Sequence, residues 1–389
     1  MAALLRHPDT SLLGSSHVAN SLHPDFNRFE RRLIEGSLEW PGLLLLLEGG
    51  VVLKRLLYVL LAVVLLLVGV AYLLPAEVTA QRSIVIQRPP ATVFTVLASM
   101  NRFNDWSPWY PRDPNASYTW IGPSYGEGAG IHWKGNQDVG EGTQTITAIE
   151  PYSRIDVSLD FGAEGPAEAG YRLRAVDGGT EVTWVFHSDL GMNPVGRYFG
   201  LLIDRFLGPD YEQGLAQLKS LVEDLPEGDP AGLNFEQVEV EAHNLLFITE
   251  TTAAESAAVS AGYADAYTQI VPFMAANGLA QAAPPIGVEG GTVDGQYRFD
   301  AAIPISGSVA ELVEPIQLRS SYAGTALRTV HVGAYHQLQR SADGLKAFAA
   351  ARGMSANGAL WYSFVDDPTV VAEESLRTEI YLPIVSPDG

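Results

Sequence analysis

The chain has 389 residues, 47% of them hydrophobic, with 38 Gly and 24 Pro dispersed along it, a length that suits two ordinary domains plus an attachment. It has no cysteine, which excludes disulfides, thiol catalysis, cysteine metal sites and a lipidated-cysteine anchor. The formal net charge of -21 is one-sided: residues 1–75 hold six of the 24 basic and six of the 45 acidic residues, leaving 18 against 39 on residues 76–389, a surface that repels phosphate backbones and argues against nucleic acid as a partner.

Residues 1–51 read as an N-terminal extension of mixed charge with a short apolar run, Leu43 to Leu47. One expectation is that translation begins near Val51 or Val52, with the first fifty residues outside the natural product. The segment 52–75 reads as a transmembrane helix, because Leu56 to Leu74 is nineteen residues without a charge and spans about 28 Å as a helix. Lys54 and Arg55 stand at its start and Pro75 with Glu77 at its end. Positive charge stays on the cytoplasmic side, so the expected placement is single-pass in the cell membrane, N-terminus cytoplasmic and C-terminal domains extracytoplasmic. A cleaved signal peptide ending near Val78-Thr79-Ala80 is the rival reading. The apolar stretch exceeds the roughly 7–15 residues of a signal peptide, which favours an uncleaved anchor.

Residues 78–226 begin with a strand, Ser83 to Ile86, stopped by Pro89-Pro90. Val93, Val96, Leu97 and Met100 then fall at helical spacing. An aromatic loop (Phe103, Trp106, Trp109, Tyr110) precedes strand-like runs at 130–133, 143–147, 153–161, 169–176 and 180–187. Asp177-Gly178 marks a hairpin between the last two. A closing helix runs from Val195 through Val222, with a kink or break expected at Gly208-Pro209. A curved sheet folded around a long helix would bury such faces and enclose an apolar cavity. Trp106, Trp109, Trp120, His132 and Trp133 are the candidate lining; core packing explains the tryptophans equally well, and a satisfied or exposed His132 is the plainer reading of that residue, with catalytic acid–base work the alternative.

The carrying residues Arg82-Ser-Ile-Val-Ile86, Pro90-Ala-Thr-Val-Phe94, Trp106-Ser-Pro-Trp109, Gly140-Glu-Gly142 and Gly214-Leu-Ala-Gln-Leu-Lys219 resemble the polyketide cyclase/dehydrase and lipid-transport (SRPBCC, START-like) superfamily. That resemblance implies a helix-grip fold and hydrophobic ligands, with catalysis in only some members.

Pro226 to Gly232 is a Pro/Gly/acid run, and 227–234 reads as a linker. In 235–386, Glu236 to Ile248 reads as one strand. Thr252-Ala-Ala-Glu255 has the form of a capping box opening a helix with Val259, Tyr263, Tyr267, Ile270 and Phe273 on one face, ended by Asn277-Gly278. Strands follow at 285–288 and 296–305. The plan then repeats as strand 326–332, helix 341–351 and strands 360–365 and 376–384, which suggests a pseudo-twofold domain with a groove. His331-Val-Gly-Ala-Tyr335, Asp367-Pro368 and Thr378-Glu-Ile-Tyr-Leu-Pro383 resemble the GyrI-like small-molecule-binding domain, also found as the effector-binding part of AraC-type regulators. The resemblance implies a groove that holds aromatic and cationic compounds on ring faces and a central glutamate. Where the family places a Glu-x-Tyr pair before its Asp-Pro turn, this chain has Tyr362 and Phe364. Without that carboxylate a cation would be costly to desolvate, so neutral or aromatic ligands are expected. Tyr335, Trp361, Tyr362 and Phe364 are the candidate lining, with Trp361 on the opposite strand face from the other two. A lapsed, packed site is the plain alternative.

The expected class is α+β: a transmembrane helix, a helix-grip domain and a GyrI-like pseudo-twofold domain. The expected function is membrane-anchored, non-enzymatic binding of a small hydrophobic molecule or lipid, without cofactor or metal. A hydrolase or cyclase using one pocket, and an interaction module with lapsed pockets, are the alternatives.

Overall fold

The computed structural model describes residues 41–162 and 165–385, with side chains described from residue 52 onward. The expected extension up to residue 40 lies outside the described residues. Helix α1 spans Pro41–Ala71, so the Leu43–Leu47 run belongs to the same helix as the long apolar stretch and is no separate segment. Within it, Val52–Ala71 is long and apolar enough to cross a membrane, with mean hydropathy 2.4 and most side chains exposed, Ala71 at its end being buried. The chain forms two compact units: Thr79–Ser188 with the residues from Asp204 onward, and a smaller one of α1 with Asp189–Ile203.

In the helix-grip domain, strand β1 (Glu77–Ile86) is followed by α2 (Pro90–Ala98), with Pro in its first turn, and by the short α3 (Phe103–Trp106). Six strands follow: β2 (Ser117–Ile121), β3 (Gly130–Lys134), β4 (Glu141–Glu150), β5 (Arg154–Asp160), β6 (Pro166–Val176) and β7 (Gly179–Asp189). They form an antiparallel sheet in the order β1-β7-β6-β5-β4-β3-β2, a meander whose last strand returns beside the first. The expected hairpin joins β6 to β7, and Gly178 supplies the positive φ (80°) that a side chain would resist. Strand β2, at the sheet edge, is not among the expected strands: Tyr118 and Trp120 alternate with Ser117 and Thr119, but the run is only five residues and four of them are exposed.

Alternation in β7 turns Val182, Trp184 and Phe186 inward, and β5 does the same with Ile155, Val157 and Leu159. Helix α4 (Pro194–Glu223) answers with Tyr211, Leu215, Leu218 and Val222 at helical spacing. The break allowed for at Gly208-Pro209 does not occur: α4 runs continuously through Pro209. Arg82 lies across it at Gly208, where a Cβ would collide with the guanidinium, and pairs with Asp204 and Glu212 one turn to either side. These contacts bind the helix to β1 over the turn that proline weakens.

The second fold contains β8 (Glu236–Val240), β9 (Asn244–Thr252), α5 (Ser256–Ala276), β10 (Ala280–Gln281), β11 (Ile286–Val293), β12 (Gln296–Ser306), β13 (Gln317–Ser320), β14 (Gly324–Val332), α6 (Leu338–Ala351), β15 (Ser355–Ala356), β16 (Trp361–Phe364) and β17 (Arg377–Val385). The main sheet runs β13-β9-β12-β11-β16-β17-β14-β8, with β10 on β12 and β15 on β17. Strand–helix–strand–strand thus occurs twice, β9-α5-β11-β12 and β14-α6-β16-β17, meeting at the β11/β16 pair. Two expectations fail here. The single strand 236–248 is two strands, because β8 crosses to the far edge to pair with β14 while β9 pairs with β12. The capping box does not form: Thr252 is still in β9, its hydroxyl donates to the Ala253 carbonyl, and Glu255 is the N-cap. Sheet pairing of Thr252 with Tyr297 holds the threonine out of reach of the helix.

Candidate functional site

Both helices of the second fold lie on one face of its sheet. Helix α5 covers Leu246, Ile248, Phe299, Ala301 and Ile303, and α6 covers Leu327, Tyr362, Ile380 and Leu382. The opposite face carries its own cluster, Leu245, Phe247, Ile286, Ala302, Ala326 and Trp361, with Tyr322 and Tyr381 beside it. The register explains what this face presents. One cross-strand row reads Thr249, Asp300, Val288, Trp361, Tyr381, Arg328, Glu236, one residue from each of seven neighbouring strands. Residues directly opposite in an antiparallel ladder point the same way. The row therefore places two rings at its centre and polar groups at both ends.

The Trp361 and Tyr381 rings stack at 4.8 Å with a 4° interplanar angle, and Tyr322 lies 5.9 Å from Trp361. They floor a trough of about 790 Å³ that the helices leave open. Several of its charges are paired within the fold: Arg319 with Asp300 at 2.6 Å, and Arg328 with Glu236 at 2.5 Å and Glu379 at 3.1 Å; Glu239, Glu241 and Arg298 also line it, outside these pairs. Tyr381 donates to Glu379 at 2.7 Å, and burial followed by that carboxylate pushes its hydroxyl up to about 12, so it stays a neutral donor. Arg319 also lies 4.5 Å over the Phe247 ring. The trough thus offers ring and apolar surface with a charged rim that is partly compensated.

The helix-covered face has a different chemistry. Tyr362 donates to Glu289 at 2.7 Å, and Lys346 of α6 reaches the other oxygen of that carboxylate at 2.9 Å. Glu289 is only 17% exposed. A carboxylate is therefore present after all; it comes from β11 rather than β16, and its charge is matched by a lysine. Burial, with Glu289 adding to it, pushes the Tyr362 hydroxyl far above its ordinary value. Gly287 pairs with Tyr362 and leaves the space that the Tyr263 phenol fills; a Cβ there would overlap the Tyr263 ring. Tyr263 stands edge-on to Phe364 at 5.3 Å, and Tyr335 meets Phe364 at 5.5 Å.

Of the predicted lining, Tyr335, Tyr362 and Phe364 share the helix-covered face and Trp361 lies on the open one, as strand alternation requires. The His331-to-Tyr335 motif is a structural turn: His331 hydrogen-bonds with Ser341 at 2.9 Å and the Ala334 carbonyl at 3.3 Å, and Gly333 takes φ 140°. Burial lowers the His331 pKa, which keeps the ring neutral. Glu289, Lys346, Tyr263 and Tyr381 were missed. A lone glutamate between Val288 and Gly290-Gly291 is the signal that pointed to the first.

The helix-grip candidates do not converge on one cavity. Trp106 and Trp109 join Phe103, Tyr171, Trp184 and Tyr211 in a ring cluster between sheet and α4, with Trp184 stacked on Tyr211 at 3.9 Å. Trp109 donates to Asp210 at 3.0 Å. Trp133 stands apart, edge-on to Phe161 at 6.0 Å, its indole N–H on the Val139 carbonyl. His132 is on the outer face with Thr143 and Glu141, because it pairs with Thr143 across the ladder. Trp120, on the edge strand, is 49% exposed and lines a groove of about 960 Å³ with Met100, Arg102 and Met354.

Residues 77–223 match the polyketide cyclase / dehydrase and lipid transport family, and residues 233–385 match the GyrI-like small molecule binding domain. The chain is therefore an SRPBCC-like domain fused to a GyrI-like domain, a small-molecule-binding bidomain protein of α+β fold. Both are typically non-catalytic ligand-binding modules. Among similar solved structures are the EcmrR C-terminal domain (15% identity, 40% of this chain and 99% of that one, TM-score 0.34) and protein CV1439 from Chromobacterium violaceum (17%, 37% and 96%, 0.27). A third is the Aha1 dimer from Colwellia psychrerythraea (18%, 38% and 97%, 0.28). No curated protein matches the chain.

Proposed function

We propose that this protein is a membrane-anchored, non-enzymatic binder of small, flat, hydrophobic or aromatic molecules, presented on the side of the membrane away from Lys54 and Arg55. The observation that carries the binding reading is the open trough floored by Trp361 and Tyr381. Its volume falls in the range of about 300–1,000 Å³ typical of ligand sites. Arg319, Arg328, Asp300, Glu236 and Glu379 are engaged in ion pairs within the fold, and a flat ligand gains contact with the ring surface that the Trp361–Tyr381 stack leaves uncovered. The apolar stretch Val52–Ala71, with basic residues only at its start, supports the anchor and its orientation.

The test is native mass spectrometry of the full chain in lipid nanodiscs, with and without a panel of neutral aromatic compounds. Retained or added ligand that Trp361→Ala and Tyr381→Ala release is the expected result. Binding unaffected by both substitutions would remove the trough from the proposal. A hydrolase reading is favoured by one observation, the Tyr362 hydroxyl held on Glu289 beside Lys346. Turnover that disappears in Glu289→Gln while binding persists would establish it instead.

A further inference from the structure

The smaller unit holds a feature that the binding reading does not use. From Pro194 to Ile203, the first ten residues of α4, Arg197 is the sole charged residue. A helix of a soluble domain shows water a polar face. This segment instead exposes Val195 (60%), Phe199, Leu201 (58%) and Leu202, and the preceding Met192 is 72% exposed. Leu73, just past α1, is 86% exposed and continues the same apolar character within the unit. After Arg197, charged residues resume only with Asp204 and Arg205.

The segment's polar groups are turned to internal partners. Asn193 accepts from the Val195 and Gly196 backbone N–H groups, satisfying donors that a helix start otherwise leaves open. Arg197 gives its guanidinium to the carbonyls of Gly191, Tyr72 and Leu74 and lies 5.4 Å from the Tyr72 ring centre. Tyr198 donates to the Leu67 carbonyl at 2.8 Å. That last bond fixes the level of the segment along α1. Leu67 is four residues, about 6 Å of helix rise, inside the end of the apolar stretch at Ala71. A helix start held at that level, with satisfied backbone ends and one guanidinium whose donors are taken up by carbonyls, meets the conditions for contact with lipid.

We infer that Pro194–Ile203 is a second membrane element, lying in the interfacial layer of the bilayer at the C-terminal end of the span, with Met192, Val195, Leu201 and Leu202 in lipid. Tyr72, Tyr198 and Arg197 then occupy the depth at which aromatic and basic side chains favour a membrane boundary. This inference rests on the reading of Val52–Ala71 as a span.

The chain's lack of cysteine makes the test direct. Single substitutions Leu61→Cys, Val195→Cys, Leu201→Cys and Val370→Cys, all at exposed positions, are labelled with a fluorophore in the full chain reconstituted into phosphatidylcholine vesicles. Quenching is measured with nitroxide lipids carrying the probe deep in, or near the top of, the acyl chain, and with aqueous iodide. Expected are deep-lipid quenching at Leu61, severalfold stronger shallow-lipid than iodide quenching at Val195 and Leu201, and iodide quenching alone at Val370. Lipid quenching at Leu61 with iodide quenching at Val195 and Leu201 overturns the inference and leaves the anchor standing. Shielding of Val195 and Leu201 from both quenchers overturns it in favour of a second protein surface. Iodide quenching at Leu61 overturns the anchor and the inference together.

Discussion

The helix-grip domain and the GyrI-like domain both gather aromatic side chains on the inner strands of an antiparallel sheet, yet they use them differently. In the first, Trp184 is met by Trp106 at 5.2 Å and Tyr211 at 3.9 Å, with Tyr171 behind it. Gly214 lets α4 come close, since a Cβ there would stand 2.8 Å from the Trp184 ring. In the second, both helices lie on one face, and on the other Trp361, 9% exposed, and Tyr381 stack on each other with Tyr322 beside them and no helix over them. Whether a ring becomes core or platform depends on where the covering helix goes, and nothing about the ring itself decides it.

Three substitutions break or sharpen that contrast. Trp184→Ala removes a wholly covered ring and should cost about 3–5 kcal/mol, lowering the thermal midpoint by roughly 10 °C. Native-gel or calorimetric unfolding reads this, and a loss below about 1 kcal/mol would mean that the cluster is not core. Gly287→Ala puts a methyl into the Tyr263 ring on the helix-covered face, for an expected cost of about 1–3 kcal/mol without change in the trough's ligand affinity. Trp361→Ala should cost stability about 1–2 kcal/mol, because an open site can relax or admit water, but weaken aromatic ligands about tenfold in a fluorescence titration. Equal stability losses at Trp184 and Trp361 would erase the distinction between core and platform.

The smallest effect concerns pH. Hydrogen bonds from the Arg377 side chain and then its backbone N–H hold the Asp366 carboxyl down at about 2. Since the folded value lies below the roughly 3.9 of an unfolded aspartate, its stabilisation is present above that value and is lost as pH falls through about 2. Asp366→Asn should lower the thermal midpoint slightly at pH 7 and converge with the unchanged protein in strong acid. A gap that stays constant across that range would show that charge is not the cause.

Much of this was legible in the residues. Helical spacing placed Val259, Tyr263, Tyr267, Ile270 and Phe273 on the face of α5 that packs on the sheet. Strand alternation separated Trp361 from Tyr362 and Phe364 correctly. What failed were inferences that needed a partner. Thr252 matches a capping box in isolation, but strand pairing claimed it. Gly208-Pro209 reads as a kink or break, but the helix continues, and Arg82, more than 120 residues earlier, braces it there. Tyr362 and Phe364 suggested a site without a carboxylate, and Glu289 supplies one from 73 residues away.

By itself, the sequence determined the local periods: an uncharged helical stretch, two α+β domains, and the face on which each strand residue stands. These follow from 3.6-residue and two-residue geometry, which needs no neighbour. Only the tertiary structure decided which strands lie side by side, and with them the Trp361–Tyr381 stack, the Tyr362–Glu289 bond and the apolar start of α4 laid against the end of α1. Such contacts join residues far apart in the chain, and the burial free energy that selects them belongs to the assembled fold, where no short segment holds it.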